Sequence, residues 1–325
     1  MKYTVNKQSL PVGNYVLSKH EDDFLLTSID DFTLPEKIYG NTNSERYIKS
    51  FTEGDRSMGI LMVGIKGGGK TMEAKKLCID SGLPVIIVSQ AFDGDTFHKF
   101  ISTLDQEVVV FMDEFDKVYT EEQQEQLLPI LDGVFSSKKL FVLTSNSMNV
   151  SQYLKNRTGR IRYLKKFEGV EEEVIKEVID NKLNDKDNEE GLLAILELLS
   201  TVSMDNLINL IEEMNRFGET ADKAMQHLNI QVEHIDFDVL MFIDGKRSQK
   251  RVYFNPLVVS YISIPYQVID DKGRTHHEYY HKAVDDMQLT ISDGDFHYTD
   301  HDNNVLIFTP VKSNKKDFLQ LIGDV

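Results

Sequence analysis

The chain has one cysteine, Cys78, in 325 residues. That excludes an intrachain disulfide and suits a reducing compartment. No apolar run reaches the length that crosses a bilayer as a helix, so no membrane association is expected. The opening MKYTVNKQSLPVG lacks an apolar h-region, so no secretory signal is expected. Cations are scarce: 36 Lys and Arg stand against 53 Asp and Glu, a net charge of −17. A chain this acidic is not built to coat nucleic acid, because counterion release needs clustered cations. A local basic site stays open. Internal repeats and low-complexity linkers are also missing, which excludes a repeat architecture. The expectation is a soluble, cytoplasmic protein.

What is present is globular. The chain is 41% hydrophobic and 27% charged, which excludes wholesale disorder. Its length suggests two or three domains and permits a sizeable core. Texture divides it into an N-terminal extension (1–34), an α/β segment (35–169), a helical segment (170–229) and a β-rich segment (230–325). Residues 1–169 hold 21 basic and 23 acidic side chains, residues 170–229 hold 5 and 15, and residues 230–325 hold 10 and 15. The helical segment spaces its apolar residues by three and four in EEEVIKEVIDNKL, GLLAILELLSTV and MDNLINLIEEMNRF. The α/β segment has short apolar runs at 58–64, 83–89, 107–113 and 139–145. Runs without alternation suit strands covered on both faces, as in a parallel sheet wrapped by helices.

Gly64-Ile65-Lys66-Gly67-Gly68-Gly69-Lys70-Thr71 matches G-x-x-x-x-G-K-[ST] in full, between a strand and the helical stretch TMEAKKLCID. Glycines let backbone N–H groups approach phosphates, and the helix N-terminus adds positive dipole. Gly64, Lys66, Gly67, Gly68, Gly69, Lys70, Thr71 and Met72 are therefore the candidate phosphate contacts. Lys70 neutralises phosphate charge, and Thr71 offers a hydroxyl to Mg²⁺. The expected ligands are ATP and Mg²⁺. VVVFMDEFD places Asp113 and Glu114 at the carboxyl end of a strand, the edge where open α/β sheets bind ligands. Asp113 suits Mg²⁺ and Glu114 suits polarisation of the attacking water, whereas Asp116 reads as structural, capping or solvating the next segment. The next strand ends in Thr144-Ser145-Asn146, where the Asn146 amide can orient that water. Arg157 and Arg160 follow, three apart across Thr-Gly. In a ring, such arginines reach the γ-phosphate of the next subunit.

These residues together resemble the AAA+ ATPases, and within them the AAA clade in the narrow sense. GIKGGGKT (64–71), VVVFMDE (108–114), LTSN (143–146) and NRTGR (156–160) carry the resemblance over about 35–228. NRTGR is similar to the R-x-G-R element of that clade, including the mitochondrial Bcs-type proteins, with Thr158 in place of proline. The compact spacing resembles small phage-encoded AAA proteins. The resemblance implies a P-loop core with a parallel sheet, a helical lid at 170–229 and paired arginine fingers at Arg157 and Arg160. It also implies a homo-oligomeric ring, with a hexamer favoured. Ser203 and Met204 stand where many other AAA+ clades carry a sensor arginine. Lys37-Ile38-Tyr39-Gly40 is similar to the segment that lines adenine, while Tyr39 reads equally as a core aromatic. Phe92, before Gly94, occupies the place of an aromatic pore loop, although an apolar residue after a strand also packs under a helix.

The β-rich segment resembles no family. A basic hairpin at 244–251 is signalled by Asp244-Gly245. His276 and His277 would point to opposite strand faces and so would not share one metal. Cys78 reads as a buried structural thiol. The expected function is Mg-dependent ATP hydrolysis that remodels an unknown protein partner. The alternatives are a DNA replication or helicase-loading ATPase, for which only the basic hairpin speaks, and a non-enzymatic ATP-dependent assembly switch.

Overall fold

A computed structural model describes residues 2–4, 9–21, 23–92, 94–131, 135–147, 161–232, 234–269 and 272–311. The chain forms two compact units, Met1–Val170 and Glu171–Val325.

The first unit is built on one eight-stranded sheet. Its strands are β1 (Lys2–Thr4), β2 (Asn14–His20), β3 (Asp23–Ile29), β4 (Met58–Gly64), β5 (Val85–Ile87), β6 (Val108–Met112), β7 (Lys139–Ser145) and β8 (Ile161–Phe167). They lie in the order β1-β3-β2-β5-β6-β7-β4-β8. Neighbours are parallel from β2 to β8, and β3 is antiparallel to both β2 and β1. The four apolar runs therefore become the four central strands, with the run at 83–89 shortened to Val85–Ile87. Every residue of β6 and β7 is buried, as unalternated runs require.

Successive residues of a strand face opposite sides of the sheet, and two cores result. Leu61, Val63, Val110, Met112, Phe141 and Leu143 pack with Phe97, Phe100 and Ile101 of α3 (Gly94–Thr103). The same core takes Phe115 of α4 (Phe115–Val118) and Ile130 of α6 (Leu128–Leu131), which α5 (Glu121–Gln126) precedes. On the other face Ile60, Met62, Val109, Phe111, Leu140 and Val142 meet Tyr47 and Phe51 of α1 (Ser44–Glu53). Ala74, Leu77 and Cys78 of α2 (Lys70–Asp80) complete it. Burial pushes the Cys78 thiol well up, so it stays protonated and inert.

The base of β7 is tied to the chain entering β6. The Lys139 ammonium, fully buried, donates to the carbonyls of Leu104 (2.9 Å), Gln106 (2.9 Å) and Ser137 (2.5 Å). This anchor sets how far β7 projects beside β6, and so where the side chains at their far ends meet.

Phe92 is 7% exposed and belongs to the α3 core, with ring centroids 5.2 Å from Phe24 and 5.8 Å from Phe97. The pore-loop reading of Phe92 is thus overturned: its ring is held between the β2–β3 hairpin and α3. A Cβ on Gly94 would lie 2.7 Å from the Gln126 carbonyl, so close packing of α3 explains that glycine.

The second unit opens with α7 (Glu172–Lys182), α8 (Glu189–Glu197), α9 (Met204–Phe217) and α10 (Ala221–His227). Ser203 caps α9, its hydroxyl accepting from Asn206 N at 3.1 Å. Five antiparallel strands follow in the order β10-β9-β15-β14-β13. They are β9 (Asp236–Ile243), β10 (Lys246–Tyr253), β13 (Met287–Ser292), β14 (Asp295–Asp300) and β15 (Val305–Pro310). Phe237 meets Phe296 and Phe308 edge-on at 6.3 and 6.0 Å inside this sheet. β11 (Tyr261–Ile269) and β12 (Thr275–Ala283) make a separate two-stranded ribbon. The basic hairpin is formed by β9 and β10, and Arg251 is held bidentately by Asp238 at 2.8 and 2.9 Å. His276 lies 3.0 Å from Glu278, and His281 stacks on Tyr261 at 5.3 Å.

The burial of Phe92 predicts that Phe92→Ala lowers stability by about 3 kcal/mol, read as an earlier denaturant midpoint. An unchanged midpoint would mean that the ring packs against nothing.

Candidate active site

Insertion of β7 between β4 and β6 brings three strand ends together at one edge. β4 runs into the glycine loop, whose first glycine is sterically fixed. A Cβ on Gly64 would lie 2.0 Å from the Phe167 carbonyl, and that carbonyl accepts from Ile65 N at 2.9 Å. Gly69, at φ 93°, stands before α2 in a left-handed conformation that other residues adopt at a cost. Lys70 is the first residue of α2 and 5% exposed. Its ammonium donates to the loop carbonyls of Gly64 (3.0 Å) and Ile65 (2.5 Å). Gly67, Gly68, Thr71 and Met72 are half-buried around it, and Lys66 is exposed.

Asp113 follows β6 directly, and its Oδ1 accepts from the Thr71 hydroxyl at 2.8 Å and the Thr144 hydroxyl at 2.6 Å. Two hydroxyls and a carboxylate thus converge beside the phosphate loop. Such a set of hard oxygens suits Mg²⁺, so the residues present fit the expected ion. Glu114 adopts φ 49° at the start of α4, and its N–H donates to Thr144 Oγ1 at 2.9 Å. Its Oε1 accepts from Asn146 Nδ2 at 3.0 Å and pairs with Lys117 Nζ. The Lys117 hydrogen bond, with help from Asn146 and the charge of Lys66, holds the Glu114 carboxyl below the usual carboxylate range. Burial opposes this, but Glu114 is only partly enclosed and stays ionised, as a general base requires.

Thr144 and Asp116 take parts at the site that the motifs alone do not assign. Thr144 bridges Asp113 and Glu114, and the signal was its place in LTSN, two residues before Asn146 on the same strand. Asp116, read as structural, accepts from Asn146 N at 3.2 Å and so helps hold that residue.

The segment after Gly40 is pinned to the first turn of α2. Buried Glu73 takes Lys165 Nζ at 2.6 Å and Asn43 N at 3.3 Å, and Lys165 also donates to Asn41 O at 2.8 Å. Tyr39 is half-buried, with the Lys37 ammonium 5.1 Å from its ring centroid. It belongs to neither core of the first unit. Arg157 and Arg160 lie outside the described residues.

Residues 60–168 match the family model described as ATPase family associated with various cellular activities (AAA). The match runs from β4 to the end of β8 and so takes in the glycine loop, Asp113, Glu114 and Asn146. It supports an ATPase of the AAA+ type, which binds ATP, and it agrees with the α/β core described above. No curated protein matches the chain. Among the described residues, no helix is long and apolar enough to cross a membrane.

Thr144→Val leaves the Glu114 N–H without its acceptor and takes one donor from Asp113. A stability loss of about 1–3 kcal/mol is expected, together with weaker nucleotide binding by calorimetry. Wild-type behaviour on both counts would show that the bridge does not hold the site.

Proposed function

We propose that the first unit binds Mg·ATP at the glycine loop and hydrolyses it. We further propose that copies of the chain assemble into a ring, with six favoured, that uses turnover to remodel a protein partner. The observation that carries the hydrolytic reading is the continuous chain of hydrogen bonds from Thr71 through Asp113, Thr144 and Glu114 to Asn146. It supports the reading because an ionised carboxylate and an amide stand close to the glycine loop.

The roles follow from chemistry. Lys70 gives up the loop carbonyls for the β- and γ-phosphates, which offer full negative charge in place of partial charge. The backbone N–H groups of the loop and the α2 N-terminus bind the remaining phosphate oxygens. Thr71 and Asp113 would hold Mg²⁺. When bound, the ion neutralises charge on the transferring phosphoryl group. Both bonds to Glu114 fall on Oε1, so Oε2 is the oxygen that takes the proton of an attacking water. Asn146 fixes the direction of that carboxylate. Tyr39 and Gly40 take the adenine side, and the Glu73–Lys165 pair holds the segment that follows them at Asn41 and Asn43. Arg157 and Arg160 act on the neighbouring subunit, in keeping with the R-x-G-R resemblance. Ring assembly and remodelling rest on the AAA+ resemblance alone, and Phe92 takes no part in them because it is packed in the core.

Glu114→Gln is expected to keep ATP binding and lose about 10²–10⁴ in turnover. Arg160→Ala is expected to lose about 10³–10⁵ with binding kept. Mixing the two inactive proteins then restores activity, because sites form between an intact Glu114 on one subunit and an intact Arg160 on the next. Full activity in Glu114→Gln would end the hydrolytic assignment. Failure of the mixture to recover would end the assignment of the arginine in trans.

A further inference from the structure

The second unit contains a cleft of about 710 Å³ between its helices and its five-stranded sheet. Asp187, Glu190 and Asp222 line it from the helical side, and Asp285 and Asp286 from the approach to β13. Lys223 and His301 are the basic groups on the wall. Five carboxylates against one lysine leave the cleft strongly negative. β13 supplies the floor: Met287, Leu289 and Ile291 alternate as half-buried residues along it. β13 is also the outer strand of its sheet. Among the described residues, one row of its backbone groups is therefore not used by the sheet ladder.

An acidic cluster alone is a solvated surface. Here one group sets it apart. Tyr298 on β14 lines the cleft and is 1% exposed, and its hydroxyl has no hydrogen-bond partner among the described residues. Other buried tyrosines are satisfied: Tyr280 donates to Asp300 at 2.9 Å and Tyr15 to the Pro11 carbonyl at 2.9 Å. A buried hydroxyl without a partner is costly, and phenylalanine would fill the same space without that cost. Burial first, and then the charge of Asp222, push the phenol up, so it is a neutral donor and acceptor at physiological pH.

We propose that this cleft docks an extended segment of a partner protein that carries lysine or arginine at alternate positions. In an extended chain, basic side chains on one side meet the carboxylates. Apolar ones on the other side meet Met287, Leu289 and Ile291. The Tyr298 hydroxyl is buried in the cleft lining, and the segment's backbone gives it its missing partner as the lining opens around the segment. A free polyamine matches the charge but has no use for the apolar floor or the buried hydroxyl.

Fluorescence anisotropy of a short labelled peptide of alternating lysine and valine, titrated with the full chain, tests this. Asp222→Asn combined with Asp285→Asn and Asp286→Asn is expected to weaken binding at least about tenfold. Tyr298→Phe is expected to weaken it about fivefold while leaving the thermal midpoint unchanged or higher. A control variant, Glu121→Gln with Glu122→Gln and Glu125→Gln on α5, removes the same charge elsewhere and is expected to bind as wild type. Equal weakening in the control would reduce the attraction to net charge and overturn the proposal. So would wild-type binding by Tyr298→Phe, or a lower midpoint in that variant, which would assign the hydroxyl a structural partner. Spermidine bound in the cleft as tightly as the peptide would overturn the peptide assignment.

Discussion

One oxygen organises the first unit. Asp113 Oδ1 receives hydroxyls from Thr71 on α2 and Thr144 on β7, while Asp113 itself directly follows β6. Three elements distant in sequence are held at a single point. The sheet ladder makes this meeting unavoidable. Val63 pairs with Ser145, and Met112 pairs with Leu143, so the ends of β4, β6 and β7 are level with one another. Strands in a ladder are about 4.8 Å apart, within reach of short hydroxyl and carboxylate side chains. Glu114, one residue beyond Asp113, and Asn146, two beyond Thr144, inherit their positions from it.

Two local features are retained around this point against their conformational cost. Glu114 sits at φ 49°, a left-handed conformation worth about 1 kcal/mol or more for a residue with a side chain. The Thr144 bond to its N–H and the Lys117 and Asn146 bonds to its carboxylate hold it there. Gly64 is pressed against the Phe167 carbonyl so closely that no side chain fits. The end of β8 is therefore part of the glycine loop's wall, although β8 lies about a hundred residues away in sequence. Lys70 is held by the carbonyl oxygens of Gly64 and Ile65.

The second unit shows a different balance. Its sheet has an aromatic core and a buried Asp300 that Tyr280 and Asn304 satisfy. Against that background the cleft beside β13 stands apart, because five carboxylates line it together with a buried Tyr298 hydroxyl that has no partner among the described residues. The family match ends at residue 168, so this region has to be read from its own chemistry.

The glycine loop, the paired carboxylates and the four central strands were legible in the sequence because each depends on neighbours in the chain. A loop that cradles phosphate needs its glycines and lysine at fixed short spacing. A strand covered on both faces is apolar throughout. Cys78 as a structural thiol was legible for the same reason. The β2–β3 hairpin was hidden, because its apolar residues are interrupted by Ser18, Lys19, His20 and Asp23 at the turn end. β8 was hidden likewise by Arg162, Lys165 and Lys166. Phe92 could have been a pore residue or a core residue, and only the hairpin closing over it decided. Thr144 and Asp116 gained their parts through bonds that span about thirty residues. The acidic cleft unites positions 187 to 286, which no local pattern links. Sequence determines what a residue can do over a few bonds of chain. The tertiary structure decides which distant groups share a point in space, because hydrogen bonds and packing act over ångströms and not over sequence.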